Sequence, residues 1–274
     1  METSLSATKP PNVLVRARER YRVIRQFTIG GSLWRSFDTG GDKGVLILLP
    51  GSLGTAEIFC RQATELSDAY RCIAIDYPDL PPVRLAGAFM ALLEEMEIGQ
   101  ATVLGASLAG YWLQYVPAFD RIERVVLANT FADSKELALH PLFNIERLKS
   151  SSGESVKGEW LARLGLQPSG ELRDLQLVLL RDGQEGEVLR KRLLAAACAL
   201  PSPTMVIEQR RIAIVACDDD PLLYARTRRG LFERYPSASH LYLPRGGHYP
   251  HVTQFAKYNQ FLRRFMSESA GGFK

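Results

Sequence analysis

The chain has 274 residues, of which 46% are hydrophobic and 23% charged, enough to bury a sizeable core without disulfide or metal staples. Its 22 glycines and 15 prolines follow no collagen-like period and form no low-complexity tract, which excludes fibrous and wholly disordered classes. A formal charge of +4 arises from 34 basic residues interleaved with 30 acidic ones, so no nucleic-acid partner is expected.

Met1 to Pro11 is polar and proline-bearing, without an apolar secretory region; residues 1–19 and 269–274 are expected to be flexible tails. Tyr21 to Thr28 and Ser32 to Phe37 flank Gly30-Gly31 and predict a hairpin. Val45 to Leu49 is apolar at every position, as a strand covered on both faces must be, and stops at Pro50-Gly51. A helix over Thr55 to Leu66 follows, then a strand over Arg71 to Ile75. Leu85, Phe89, Leu92 and Met96 then recur at helical spacing between Val83 and Glu97. The next unit is a strand at Thr102 to Leu104, a helix from Leu108 to about Phe119, and a strand from Arg124 to Ala128.

From Ser134 to Pro203 amphipathic helical segments continue without a convincing strand. Strand patterning resumes at Ile212 to Ala216, with a helix over Pro221 to Arg234, a strand over His240 to Leu243 and a closing helix over Val252 to Met266. Alternating strands and helices imply an α/β fold: a mostly parallel central sheet with helices on both faces. The expected organisation is a core of residues 20–133 and 204–268, interrupted by a helical insertion at 134–203. Arg226, Arg228 and Arg229 fall in a predicted helix and read as a solvated face. Cys60, Cys72, Cys198 and Cys217 have no CxxC spacing and read as reduced core thiols, which suits the cytoplasm. The longest apolar run, Leu193 to Leu200, is far shorter than the roughly 20 residues of a membrane span.

Gly105-Ala106-Ser107-Leu108-Ala109-Gly110 joins a buried strand to a helix, where three glycine-rich motifs compete. A phosphate-binding loop would need Lys and Ser/Thr where Tyr111 and Trp112 stand. A dinucleotide fingerprint would need glycine at Ser107 and an acid where the next strand ends at Asn129-Thr130. The third reading is a nucleophile elbow, a sharp turn that projects the Ser107 hydroxyl above the sheet; the motif by itself equally suits a purely structural Gly-Ala-Ser turn. Its small-residue requirement falls on Gly105 and on Ala109, where glycine is usual.

A serine hydroxyl needs a base, and that base an orienting carboxylate. His140 falls in the helical region and His240 opens a strand, whereas His248 sits in a glycine-rich loop between the last strand and the last helix. His251 makes an HxxH pair with it, which without a further ligand gives no metal site. Asp218, Asp219 and Asp220 follow the Ile212 strand; Asp220, ahead of Pro221, is the expected acid and Asp218 the alternative. Ser107, Asp220 and His248 fall in the order that elbow hydrolases use. The Leu108 and Ser52 amides are the expected oxyanion donors.

With these residues in place the chain resembles the α/β-hydrolase superfamily from about Tyr21 to Met266, with 134–203 in the place of its variable cap. Within it, the maspardins share Leu33-Trp34-Arg35-Ser36-Phe37-Asp38, Gly54 to Gln62, Ile75-Asp76-Tyr77-Pro78, Gly105 to Leu108 and Asn129 to Asp133. The resemblance implies the α/β-hydrolase fold and a cofactor-independent serine hydrolase with a small-molecule ester, thioester or amide substrate, the cap favouring an apolar acyl or alkyl group. Because animal maspardins are regarded as binding or trafficking proteins, it also implies the alternative of a non-catalytic adaptor with a protein partner. Lyase or acyltransferase chemistry is a third, weaker expectation, since fold does not fix function.

Overall fold

A computed structural model describes residues 9–135 and 137–267; the expected tail at 269–274 lies outside them. Of the expected tail at 1–19, residues 1–8 also lie outside them, and residues 12–19 instead belong to helix α1 (Asn12–Arg20). Val13, Leu14 and Ala17 lie on one side of this helix and are buried. At this spacing three apolar side chains suffice to hold a short, otherwise charged helix on a core. An ion pair from Arg18 Nε to Glu57 Oε1 (2.7 Å) adds to the attachment.

The hairpin strands are β1 (Val23–Ile29) and β2 (Ser32–Asp38), turning at Gly30 and Gly31 with φ of 58° and 75°, a region that glycine enters without steric cost. Next come β3 (Val45–Leu49), α2 (Cys60–Leu66), β4 (Arg71–Asp76), α3 (Pro82–Glu95), β5 (Ala101–Ala106), α4 (Leu108–Leu113) and β6 (Ile122–Ala128). Helix α4 stops well short of Phe119. The amides of Gln114, Tyr115 and Val116 bond three residues back rather than four, and Pro117 cannot continue a helix.

Helices α5 (Ile145–Ser150), α6 (Gly153–Gly165), α7 (Glu171–Gly183) and α8 (Gly186–Ala197) fill the stretch before β7 (Ile212–Cys217). Then follow α9 (Ala225–Arg234), β8 (Ser239–Leu243), α10 (Pro250–Thr253) and α11 (Phe255–Ser267). Helix α9 begins later than Pro221, because the Asp220 carboxylate takes the Leu222 and Leu223 amides in a tight turn.

The eight strands form one sheet in the order β1-β2-β4-β3-β5-β6-β7-β8. Strand β2 pairs antiparallel with β1 and β4, and β4 through β8 are mutually parallel. Side-chain alternation splits each central strand between two cores. Ile47 and Leu49 join Trp34, Phe89, Val103 and Trp112 on one face. Leu46 and Leu48 join Phe59, Cys72, Leu104 and Phe265 on the other.

Two surface expectations are corrected. Cys198 is exposed while the other three cysteines are buried, because it follows the last turn of α8 rather than lying in a strand. Arg228 is buried and bonded to the Leu223 carbonyl and to Asp218, whereas Arg226 and Arg229 are exposed.

Candidate active site

Parallel pairing puts the carboxyl ends of β3, β5, β6, β7 and β8 on one edge of the sheet, where ligands of open α/β sheets bind. Ser107, the residue between β5 and α4, has φ 51° and ψ −118°, a strained conformation for a non-glycine residue. The strain is held by a strong local frame. The Ser107 amide donates to the Ala128 carbonyl (2.9 Å), and its own carbonyl accepts from the Tyr111 amide (3.1 Å) and from Thr130 Oγ1 (2.5 Å).

The turn closes because three positions lack a side chain. A Cβ on Gly51 would come within 2.8 Å of Ser107 Cβ, and one on Gly105 within 2.7 Å of the Gly110 amide. A Cβ on Gly110 would meet the Gly105 carbonyl and Thr130 at 2.7 Å. The tight approach of α4 to the strands therefore rests on Gly110, and Ala109 fits beside it fully buried. Alanine at 109 is compatible with the elbow for that reason.

His248, in the loop after β8, points its Nδ1 at Asp220, which follows β7. The separations are 2.8 Å to Oδ2 and 3.1 Å to Oδ1. The Asp220 carboxylate is also the acceptor for Asn129 Nδ2 (2.9 Å) and for the Leu222 amide (2.9 Å). Burial alone would push its pKa up, but the neighbouring His248 charge and these hydrogen bonds outweigh burial and hold it below the ordinary carboxylate value. Asp218 is elsewhere: its half-exposed carboxylate accepts from the Tyr242 hydroxyl and pairs with Arg228 at 3.5 Å.

Two neighbours of Asp220 carry structural duties that the sequence reading did not assign. Asp219 accepts from the Gly246 and Gly247 amides (2.9 and 2.7 Å), fixing the base of the His248 loop. Asn129, at the end of β6 with φ 41°, bridges Asp220 and the Gly247 carbonyl (3.1 Å) through one amide group. Its place at a strand's carboxyl end, in a residue type that tolerates left-handed φ, is the signal that could have found it.

Ser107 and His248 line one cavity of about 30 Å³. Gly51, Ser52 and Leu53 of the loop after β3 form part of its wall, and Phe143, Trp160 and Leu193 reach it from the segment between β6 and β7. Among the described residues, no Lys, Arg, Asp or Glu lines it. Leu108 is the first residue of α4, so its amide has no carbonyl to bond within the helix.

His251 also lines this cavity, and its ring lies 4.8 Å from that of Phe59. Its Nε2 is buried without a hydrogen-bond partner among the described residues. Burial, helped by the His248 charge, lowers its pKa to about 3. His140 and His240 lie away from the cavity: His140 caps a short turn at Leu142, and His240 packs on Phe232.

The profile of the Alpha/beta hydrolase family matches residues 46–260. Human maspardin is 24% identical over 250 residues, covering 84% of this chain and 78% of its own length. Zebrafish (Danio rerio) maspardin is 24% identical over 261 residues, covering 87% of this chain and 80% of its own. Among solved structures, a hydrolase from Pseudomonas aeruginosa PA01 superposes with a TM-score of 0.73 at 20% identity, covering 90% of this chain and 99% of that one. The enol-lactonase from Burkholderia xenovorans LB400 does so with a TM-score of 0.70 at 16% identity, covering 89% and 100%. The sheet order, the elbow and these matches lead to one conclusion: the chain belongs to the α/β-hydrolase family and is similar to maspardin.

Proposed function

We propose that the protein is a serine hydrolase that cleaves an ester, thioester or amide of a small molecule, with carboxylic esters the foremost class. The observation that carries this reading is the Asp220 contact to His248 Nδ1 at 2.8 Å beside a cavity that Ser107 shares. An imidazole engaged through Nδ1 keeps Nε2 for the serine.

In the first half-reaction His248 takes the Ser107 Oγ proton as Oγ adds to the substrate carbonyl carbon. The amides of Ser52 and Leu108 stabilise the oxyanion. Collapse expels the leaving alcohol, thiol or amine, which receives the proton from His248, and leaves an acyl-serine. Water, deprotonated by the same imidazole, then releases the acid and regenerates Ser107. Asp220, held ionised by its neighbours, orients His248 and stabilises the imidazolium. The scheme uses no cofactor.

A lining that, among the described residues, has no Lys, Arg, Asp or Glu supports an uncharged acyl or alkyl group, since burying an unpaired charge there would be costly. In this reading residues 134–203 are the cap, and 20–133 with 204–268 are the core. No helix among the described residues is long and apolar enough to cross a membrane, and the free thiols support a reducing, cytoplasmic setting.

The test is initial-rate kinetics on uncharged p-nitrophenyl esters. Ser107→Ala and His248→Ala are expected to lower kcat by about 10³-fold or more, and Asp218→Asn to leave it within about threefold. Wild-type rates in Ser107→Ala would sink the proposal. Similarity to maspardin supports a second reading, a non-catalytic binding protein on this fold; there Ser107→Ala would leave partner binding untouched and no ester would turn over.

A further inference from the structure

The loop after β3, whose Ser52 amide is the proposed oxyanion donor, is held almost entirely through its carbonyls. The Pro50 carbonyl accepts from the Tyr77 hydroxyl (2.8 Å), that of Leu53 from the Tyr249 hydroxyl (3.2 Å), and that of Gly54 from Arg192 (3.4 Å). The remaining contact comes from Gln184, the residue after α7. Its Nε2 donates to the Ser52 carbonyl (2.8 Å) and its Oε1 accepts from the Gly54 amide (3.1 Å). One side-chain amide thus pairs with two backbone groups two residues apart, as a neighbouring strand would.

The pairing has a geometric consequence. A trans peptide points its carbonyl and its following amide in opposite directions. Fixing the Ser52 carbonyl and the Gly54 amide on Gln184 therefore fixes the planes of the two peptides that follow Ser52. Gln184 is buried, with 5% of its surface exposed, so water does not compete for either bond. The approach is close: a Cβ on Gly183 would come within 2.9 Å of Thr55 Cγ2. Arg192, on α8, adds a second tie from the same helical segment through the Tyr77 and Gly54 carbonyls.

We propose that Gln184 is a positioning residue that sets the oxyanion loop from the helical segment between β6 and β7, so that the hydrolytic site is complete only while that segment is seated on the sheet. Anything that lifts α7 and α8, whether a bulky substrate entering or a partner docking on them, releases Ser52 to Gly54 and weakens oxyanion binding. The inference rests on the hydrolase reading for its catalytic part and on geometry alone for the clamp.

The experiment compares wild type with Gln184→Met, which keeps the volume, and Gln184→Ala. Amide hydrogen exchange reads the clamp: the Gly54 amide is expected to exchange at least about tenfold faster in both variants. Unchanged exchange in Gln184→Met overturns the inference whether or not the protein is active. Steady-state kinetics and trifluoromethyl ketone binding read the catalytic consequence. The expected result is a loss of about 10- to 100-fold in kcat with KM within about twofold, and an equal loss of affinity for the ketone, which forms a tetrahedral adduct. A rise in KM with kcat and ketone affinity unchanged overturns the positioning role. Should wild type show no turnover and no adduct, the hydrolase reading fails while the exchange result still decides the clamp.

Discussion

Asn129 stands where a strand ends, buried and with φ 41°, and its single amide nitrogen serves both Asp220 and the Gly247 carbonyl. Asn129→Ala removes both bonds and keeps a side chain in left-handed space, for an expected loss of about 2–3 kcal/mol in urea unfolding and about tenfold in kcat/KM. His251 makes a prediction of opposite chemistry. Its folded pKa of about 3 lies below the unfolded value, so the unfolded chain binds a proton that the folded chain refuses. Its drain on stability is absent above about pH 6.5 and grows as pH falls toward 3, by up to about 1.4 kcal/mol per pH unit. His251→Phe is expected to flatten that slope: its stability relative to wild type should rise between pH 6.5 and 4 in urea titrations, and a constant difference would contradict the assignment. Ser107, Asp220 and His248 were legible as candidates because each is a reactive residue type in the turn or loop that follows a strand. Asn129 and Gln184 were not, because their roles come from contacts to residues 91 and 132 positions away, which no local pattern encodes.

At the scale of elements, the central strands were legible because a strand covered on both faces is apolar along its length: β3 and β7 are so at every position, and β5 at all but Thr102. Helix ends were less so. Helix α4 ends early at a turn that anticipates Pro117, and α9 starts late because Asp220 diverts the Leu222 and Leu223 amides. The first helix escaped notice because its apolar positions are few among charged neighbours. Leu14 is nonetheless fully buried, and Leu14→Ala is expected to cost about 2–4 kcal/mol in urea unfolding; a change below about 0.5 kcal/mol would restore the flexible-tail expectation. The elbow yields a paired prediction. Gly110→Ala forces a methyl into 2.7 Å contacts and should destabilise by about 2 kcal/mol or more. Ala109→Gly, which installs the residue usual at that position, should cost about 0.5–1 kcal/mol and bring no gain in turnover.

Across the whole molecule, the parallel order from β4 to β8 is what gathers residues remote in sequence at one edge, and the antiparallel β1-β2 hairpin extends the sheet on the side away from the His248 loop. The helical stretch from 134 to 203 was legible as an interruption of the strand rhythm. That it supplies Phe143, Trp160 and Leu193 to the Ser107 cavity was not, since patterning locates apolar faces without saying what they meet. The central claim, that this arrangement makes Ser107 a nucleophile, is tested most directly by intact-mass analysis after exposure to a fluorophosphonate. The account predicts one adduct per chain, mapped to Ser107, absent in Ser107→Ala and slowed by about 10³-fold in His248→Ala. An unmodified wild-type chain, or an adduct that persists in Ser107→Ala, would contradict it.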